Sequence, residues 1–285
     1  RDPLWSRGLG DVYKRQLKQE VYMSATVVLV KQVPDYETDN SLTDDFRLNR
    51  ENVDKILDET NEHAVEAAVQ LNDILETPHE IIALTMGPDS AVEALRRAMA
   101  MGADRGIHIC DDALVGSDAI QTSWVLANAL GHIEDTKLIV CGDQSSDAGA
   151  GTVPAIVAEY LGIPALTSIH SLTVEPDGSL IAERATDGFT YQLTAEMPAL
   201  ISVTETMNEP RFPSFKGIMA AKKKEVTEWT LADIGVLPTQ VGQKGAGTTV
   251  TATEERPAKS QGDIFVDNGD GAQRIMNYLL SLIHI

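Results

Sequence analysis

A parallel α/β sheet is the fold class that this sequence predicts, and three observations predict it. Short, uniformly apolar runs recur at residues 26–30, 81–85, 107–110 and 137–141, as expected of strands covered on both faces. Stretches with apolar residues at helical spacing lie between them. The runs give way to turns of Gly, Pro and small polar residues. Strand and helix alternating at this pitch place the strands side by side in parallel. In such sheets ligands bind beyond the carboxyl ends of the strands.

The elements follow in order. Residues 31–35 (KQVPD) close the first strand, and a polar excursion runs to about residue 52. Ala64, Val65, Ala68 and Leu71 share one helical face within residues 61–75. The second strand ends in Met86-Gly-Pro-Asp-Ser90. Ser90 stands three residues before Glu93, the form of a capping box, and Gly102 can stop the helix it opens. Residues 117–130 and 154–161 are further helices.

The loop between the fourth strand and the last of these helices reads CGDQSSDAGAGTVPA, residues 141–155. Gly142, Gly149 and Gly151 allow positive φ and close approach of the backbone to a ligand. Ser145, Ser146 and Thr152 supply hydroxyls, and Pro154 fits a first helical turn, where its missing N–H costs nothing. The positive end of that helix dipole would point into the loop, which makes an anion site, most simply for phosphate. The alternative is a Gly-rich connector that binds nothing. The spacing matches neither G-x-G-x-x-G nor G-x-x-x-x-G-K-[ST], which disfavours a dinucleotide-fold oxidoreductase and a P-loop NTPase. Leu29 and Met86, at neighbouring strand ends, could flank a base while the loop cradles its phosphate.

Composition narrows the classes. The chain has 285 residues, is 43% hydrophobic and only 5% aromatic, so its core must be aliphatic and Ala-rich. A net charge of −20 argues against general binding to nucleic acid or to an anionic membrane. Two cysteines, Cys110 and Cys141, without a C-x-x-C, point to a reducing compartment and to neither a disulfide framework nor a zinc site. No Ser/His/Asp set and no carboxylate pair at diagnostic spacing occurs, so the sequence offers binding and docking surfaces rather than a catalyst. Residues 1–16 and 281–285 read as translated adapter or vector sequence, with a native start expected near Met23.

After residue 161 the texture changes. Residues 171–175, 180–184, 189–195 and 199–205 read as strands that extend or flank the sheet. Pro210-Arg-Phe-Pro-Ser-Phe-Lys-Gly-Ile-Met219 frames Phe212, Phe215, Ile218 and Met219 with Pro, Ser and Gly, a pattern suited to partner docking or to anchoring the loop on its own core. Lys222, Lys223 and Lys224 form the obvious patch for an acidic partner, or a solvated face. Residues 238–262 are poor in large apolar residues and read as an extended arm, and residues 272–280 read as a short terminal helix.

Four segments carry a resemblance: VLVKQVPD (28–35), TMGPDSAVEALRRAMAMGADRGIHI (85–109), CGDQSSDAGAGTVPAIVAEYLG (141–162) and NEPRFPSFKGIMAAKKKEV (208–226). The chain resembles the beta subunits of electron transfer flavoproteins, most nearly the actinobacterial ones, over residues 26–280. The resemblance implies a parallel-sheet domain of the adenine-nucleotide-binding type, with added strands and an extended C-terminal arm. It implies a heterodimer with an alpha subunit that binds most of the FAD, and one AMP held by the beta subunit. It implies electron delivery from acyl-CoA dehydrogenases of fatty acid β-oxidation to a membrane quinone oxidoreductase, in the cytoplasm, with no direct membrane insertion and no nucleic acid.

By the same resemblance the AMP contacts fall on Leu29, Asp58, Glu59, Thr60, Asn61 and Met86, and on the loop Gly142, Asp143, Gln144, Ser145, Ser146, Asp147, Ala148, Gly149, Ala150, Gly151, Thr152 and Val153. Tyr36 falls where an aromatic is brought toward the flavin. Phe215 falls on the anchor that recognises dehydrogenases, with Pro213, Met219 and Lys222 to Lys224 around it. Asp143 departs from a Lys or Asn common in the family, and Phe189 from a Gly or acid. Residues 1–22 are expected to be a non-native or disordered extension, 23–237 the AMP-binding domain, and 238–285 an arm and helix that dock on the alpha subunit. Two other readings are a bifurcating homologue with FAD in place of AMP, and a stand-alone ATP-binding domain of universal-stress type.

Overall fold

A computed structural model describes residues 24–38, 41–255, 257, 262 and 264–283. The expectations for residues 1–22 lie outside the described residues. Strand β1 (Ala25–Leu29) is buried along its whole length. It sits in the middle of a seven-stranded sheet and pairs in parallel with β4 (Glu80–Met86) on one side and β6 (Thr136–Gly142) on the other. Beyond β4 lie β5 (Arg105–Ile109) and β12 (Val226–Trp229). Beyond β6 lie β11 (Ala199–Val203) and β7 (Ala165–Ile169), and all six pairings are parallel. A short antiparallel ribbon of β2 (Gln32–Pro34) and β3 (Lys55–Leu57) follows β1.

Period-two alternation divides the strand side chains between two cores. Val28, Ile81, Ala83, Leu138 and Val140 face helices α1 (Glu59–Ile74) and α2 (Val92–Met101). Val27, Leu29, Ile82, Leu84 and Ile139 face α3 (Ala119–Gly131) and α4 (Val153–Leu161). Ala64, Ala67, Ala68, Ala94 and Ala98 let the first pair lie close to the sheet, so an aromatic-poor chain still fills its interior.

Several local expectations change. The Ser90–Glu93 capping box does not form: a 3₁₀ turn at Asp89–Ala91 precedes α2, and the Ser90 hydroxyl donates to Gln32 Oε1 at 2.8 Å. A tertiary acceptor has outcompeted the local cap. The capping box lies instead at Asp118 and Gln121, where each side chain accepts the other's backbone N–H at 2.9 and 3.1 Å. The strands β8 (Ser171–Val174), β9 (Leu180–Thr186) and β10 (Phe189–Ala195) form a separate antiparallel sheet, whereas β11 joins the main one. Strands β7 and β12 escape a periodicity reading because they are short and carry polar residues.

The expected arm starting at residue 238 is corrected at its root. Val241 is buried in the core with Leu231 and Ile234. Gly242 N–H donates to Ser117 Oγ at 2.9 Å, and Gly247 N–H to Asp118 Oδ2 at 2.8 Å. Apolar content alone missed this, because backbone donors and one valine seat the segment. The chain divides after Thr249. In the second unit, Asp267 accepts the N–H groups of Gly269 and Gly271, both at 2.8 Å, at the start of helix α6 (Gly271–Ile283), and the Arg274 guanidinium lies 5.1 Å from the Phe265 ring centre. No helix of the described residues is long and apolar enough to cross a membrane.

Candidate functional site

The strand order reverses between β1 and β6: the chain leaves β1 toward β4 and β5, and continues from β6 toward β11 and β7. At such a reversal the loops diverge and open a crevice beyond the carboxyl ends. A cavity of about 480 Å³ occupies it, within the range of about 300–1,000 Å³ typical of small-molecule sites.

The cavity has two chemically distinct ends. Leu29, Leu84, Met86, Leu126 and Val153 give an apolar wall from β1, β4, α3 and α4. Lys31, Arg50, Lys55 and Ser145 give a cationic, hydrogen-bonding wall. The Gly-rich loop spans both. Gly149 and Gly151 take positive φ, at 57° and 61°. Gly142 serves a different need: a Cβ there would lie 2.5 Å from Thr60 Oγ1 and 2.9 Å from Asn61 Nδ2, so only glycine lets β6 pass under α1. Pro154 occupies the first turn of α4, and no side chain caps that helix. Among the described residues the backbone N–H groups of Ala150, Gly151 and Thr152 have no partner. Free N–H groups at an uncapped helix start make the fit to an anion.

The loop is tied down from behind. Asp58, fully buried, caps α1 by accepting from Thr60 N–H at 3.1 Å. Its other oxygen accepts from Ser146 N–H at 2.8 Å and from the Ser146 hydroxyl at 3.0 Å. Asn61 Oδ1 accepts the Lys31 backbone N–H at 2.7 Å. Lys31 Nζ meets Asp147 at 2.7 Å, and Arg50 binds the second oxygen of the same carboxylate. Burial alone would raise the Asp147 carboxyl, but the charges and hydrogen bonds of Lys31 and Arg50 outweigh it and hold the group at about 2. Asp143 goes the other way: burial, with Glu205 and Asp58 nearby, raises it.

Among the expected nucleotide contacts, Leu29, Asn61, Met86, Gly142, Asp143, Gln144, Ser145, Ala148, Ala150, Gly151 and Val153 line the cavity. Asp58 and Thr60 stand behind the loop as supports, and Glu59 lines a neighbouring groove with Glu62 and Arg97. Ser146, Asp147, Gly149 and Thr152 belong to the loop but not to the cavity wall. Tyr36 is 69% exposed and lies outside the wall. Arg50, Lys55 and Leu126 were not foreseen. Arg50 sits in the polar excursion and Lys55 just past it on β3, and only the folding back of this stretch brings them to β1.

The segment at 208–224 is anchored at its base and open at its top. Arg211 makes a bidentate pair with the buried Glu66, at 2.6 and 3.0 Å. Burial raises the Glu66 carboxyl, and Arg211 more than offsets this, leaving it lowered. Ser214 accepts the Gly217 N–H at 3.0 Å and caps the short helix α5 (Phe215–Ala221). Phe215 therefore opens a helix rather than sitting at a loop tip. It is 80% exposed and Phe212 91%, with Ile218 and Met219 also exposed and Pro213 half-buried. Lys222 and Lys223 are exposed, but Lys224 turns inward and donates to the Met99 and Ala103 carbonyls at 3.1 and 2.6 Å, closing the end of α2.

Both cysteine thiols are held in the protonated form. Burial, with a hydrogen bond to Asp89, pushes the Cys110 thiol up to about 11, and burial pushes Cys141 up as well. No cluster of three metal-ligating side chains occurs among the described residues.

Fold and site together define an α/β protein of the nucleotide-binding type, with a cavity at the sheet's reversal. The electron transfer flavoprotein domain model matches residues 45–234. The chain is 51% identical over 265 residues to the electron transfer flavoprotein subunit beta of Mycobacterium tuberculosis, covering 91% of this chain and 98% of that one. It is 50% identical over 263 residues to that of Mycobacterium leprae, with the same coverage. To the caffeyl-CoA reductase-Etf complex subunit CarD of Acetobacterium woodii it is 32% identical over 239 residues, covering 84% and 90%. The chain belongs to the electron transfer flavoprotein family, on the side of its beta subunits, and is an electron-carrier subunit rather than an enzyme.

Proposed function

We propose that the chain holds AMP in the cavity between β1 and β6 and pairs with an alpha subunit whose FAD carries the electrons. The pair takes electrons from acyl-CoA and related dehydrogenases of fatty acid oxidation and hands them to a membrane quinone oxidoreductase, in the cytoplasm. The observation that carries the nucleotide part is the pairing of two ends in one cavity. The apolar wall of Leu29, Met86 and Leu126 suits a purine, and the free N–H groups of Ala150 and Gly151 with Lys31 and Arg50 suit a phosphate. When bound, the flavin supplies the one- and two-electron chemistry, and Tyr36 is the exposed aromatic this chain offers toward it. The chain's own residues bind, orient and dock. Phe215 and Met219, on a segment pinned by the Glu66–Arg211 pair, supply an apolar anchor for a dehydrogenase pocket.

A ligand that binds only the folded state adds RT ln(1 + [L]/Kd), about 2.7 kcal/mol at a hundredfold excess over Kd. The melting temperature of the full chain should therefore climb with AMP concentration and not with inorganic phosphate at equal ionic strength. A flat melting curve up to millimolar AMP removes the assignment.

A further inference from the structure

Two cations of the cavity wall converge on one carboxylate that does not itself face the cavity. The Asp147 side chain is 3% exposed, whereas those of Lys31 and Arg50 are 40% and 38% exposed. Lys31 Nζ also donates to Ser145 Oγ at 3.2 Å. Lys31, Arg50 and Ser145 line the cavity and Asp147 does not. We propose that Asp147 is a positioning residue for the phosphate end of the site: its carboxylate gathers Lys31 and Arg50, both far from it in the chain, onto the wall they share with Ala150 and Gly151.

This inference rests on the nucleotide reading above. Two like charges brought within a few ångströms repel, and both side chains are long and reach solvent. Without the carboxylate between them they would separate. An arriving phosphate would then have to order both, and that ordering subtracts from affinity. An opposing effect exists, since removing a negative charge near an anion site strengthens anion binding. Asp147 lies behind the cations, which already neutralise it, so the loss of order outweighs the gain in potential.

The test is calorimetric titration of the nucleotide-free full chain with AMP and with adenosine. The ratio of the two affinities isolates the phosphate. Asp147→Asn, which keeps the shape and removes the charge, should lower AMP affinity about tenfold and leave adenosine within about twofold. Asp147→Glu should restore part of the ratio, and it supplies the measurement if the Asn variant fails to fold. Because Asp147 acts only through its two cations, adding Asp147→Asn to a Lys31→Met, Arg50→Met background should change the ratio no further. Unchanged or tighter AMP binding by Asp147→Asn overturns the inference, as does an equal loss of AMP and adenosine. A wild-type chain that does not distinguish AMP from adenosine defeats the nucleotide reading itself, whatever the variants do.

Discussion

The loop at residues 142–153 and the segment at residues 204–221 both follow strands of the same sheet, β6 and β11, and both are rich in small and turn-forming residues. They do opposite things. The first is tied down by two residues: Asp147 meets Lys31 and Arg50, and Ser146 meets the buried Asp58. The backbone N–H groups of Ala150, Gly151 and Thr152 remain free on it. The second places one ion pair at its base, Glu66 with Arg211, and presents aromatic rings at its top, Phe215 at 80% exposure. The difference lies in which groups find partners inside the fold. A loop whose buried carboxylate and serine are tied down from behind holds its backbone donors in place, which suits an anion. A segment held from below by Arg211, Asn208 and Ala221 can offer the side chains on its outer face, which suits an apolar pocket.

Breaking the base of the second segment should have the largest effect. Arg211→Ala leaves Glu66 buried without its partner, a change that costs about 3–5 kcal/mol when both groups are buried. Arg211 is partly exposed and solvent screens the pair, so about 2 kcal/mol is expected, read from urea unfolding at pH 7. An unchanged midpoint would mean the pair does not pin the segment.

Overfilling the root of the first loop should come next. Gly142→Ala puts a methyl 2.5 Å from Thr60 Oγ1, and overpacking of this kind costs about 1–3 kcal/mol. Gly151→Ala at the other end meets nothing closer than 3.9 Å and suffers only from its φ of 61°. Gly142→Ala should therefore lower the melting temperature more than Gly151→Ala. The reverse order would contradict the account of the crowding under α1.

The ion cluster of the first loop should show in acid. The Asp147 carboxyl is held at about 2, below the roughly 3.9 of an unfolded chain, so its contribution is fully present above about pH 4 and is lost as pH falls toward 2. Lys31 and Arg50 both reach solvent, which screens the cluster, so about 1 kcal/mol is expected. The stability difference between wild type and Asp147→Asn should shrink over that window. A difference constant from pH 5 to pH 2 would show that the carboxylate is not held in this way.

The smallest effect on the fold belongs to Phe215→Ala. A side chain so exposed contributes little to stability, so the melting temperature should hold within a degree or two. Affinity for a client dehydrogenase should fall about tenfold, equal to about 1.4 kcal/mol. A destabilised protein with normal dehydrogenase coupling per folded molecule would return Phe215 to a packing role.

Much of this was legible in the sequence, for physical reasons that also explain the rest. The four buried strands show because burial on both faces makes uniformly apolar runs, and the Gly-rich loop shows because positive φ calls for Gly. Lys31, Arg50 and Lys55 did not show as a set, because the β2–β3 ribbon that folds the excursion back is only three residues per strand. Ser90 looked like a cap because local spacing cannot see Gln32 across the fold. Residues 238–249 looked like a free arm because seating by Ser117, Asp118 and one buried valine leaves no apolar periodicity.

The central claim is that the cavity between β1 and β6 takes AMP, through backbone donors and an apolar wall, while the flavin belongs to the partner chain. The most direct measurement is to purify the full chain together with its partner subunit, release the nucleotides by heat, and quantify them by chromatography and mass spectrometry. The account predicts one AMP and one FAD per heterodimer, with the AMP lost in Gly142→Val and retained in Phe215→Ala. Two FAD and no AMP, or an AMP content that Gly142→Val leaves untouched, would contradict it.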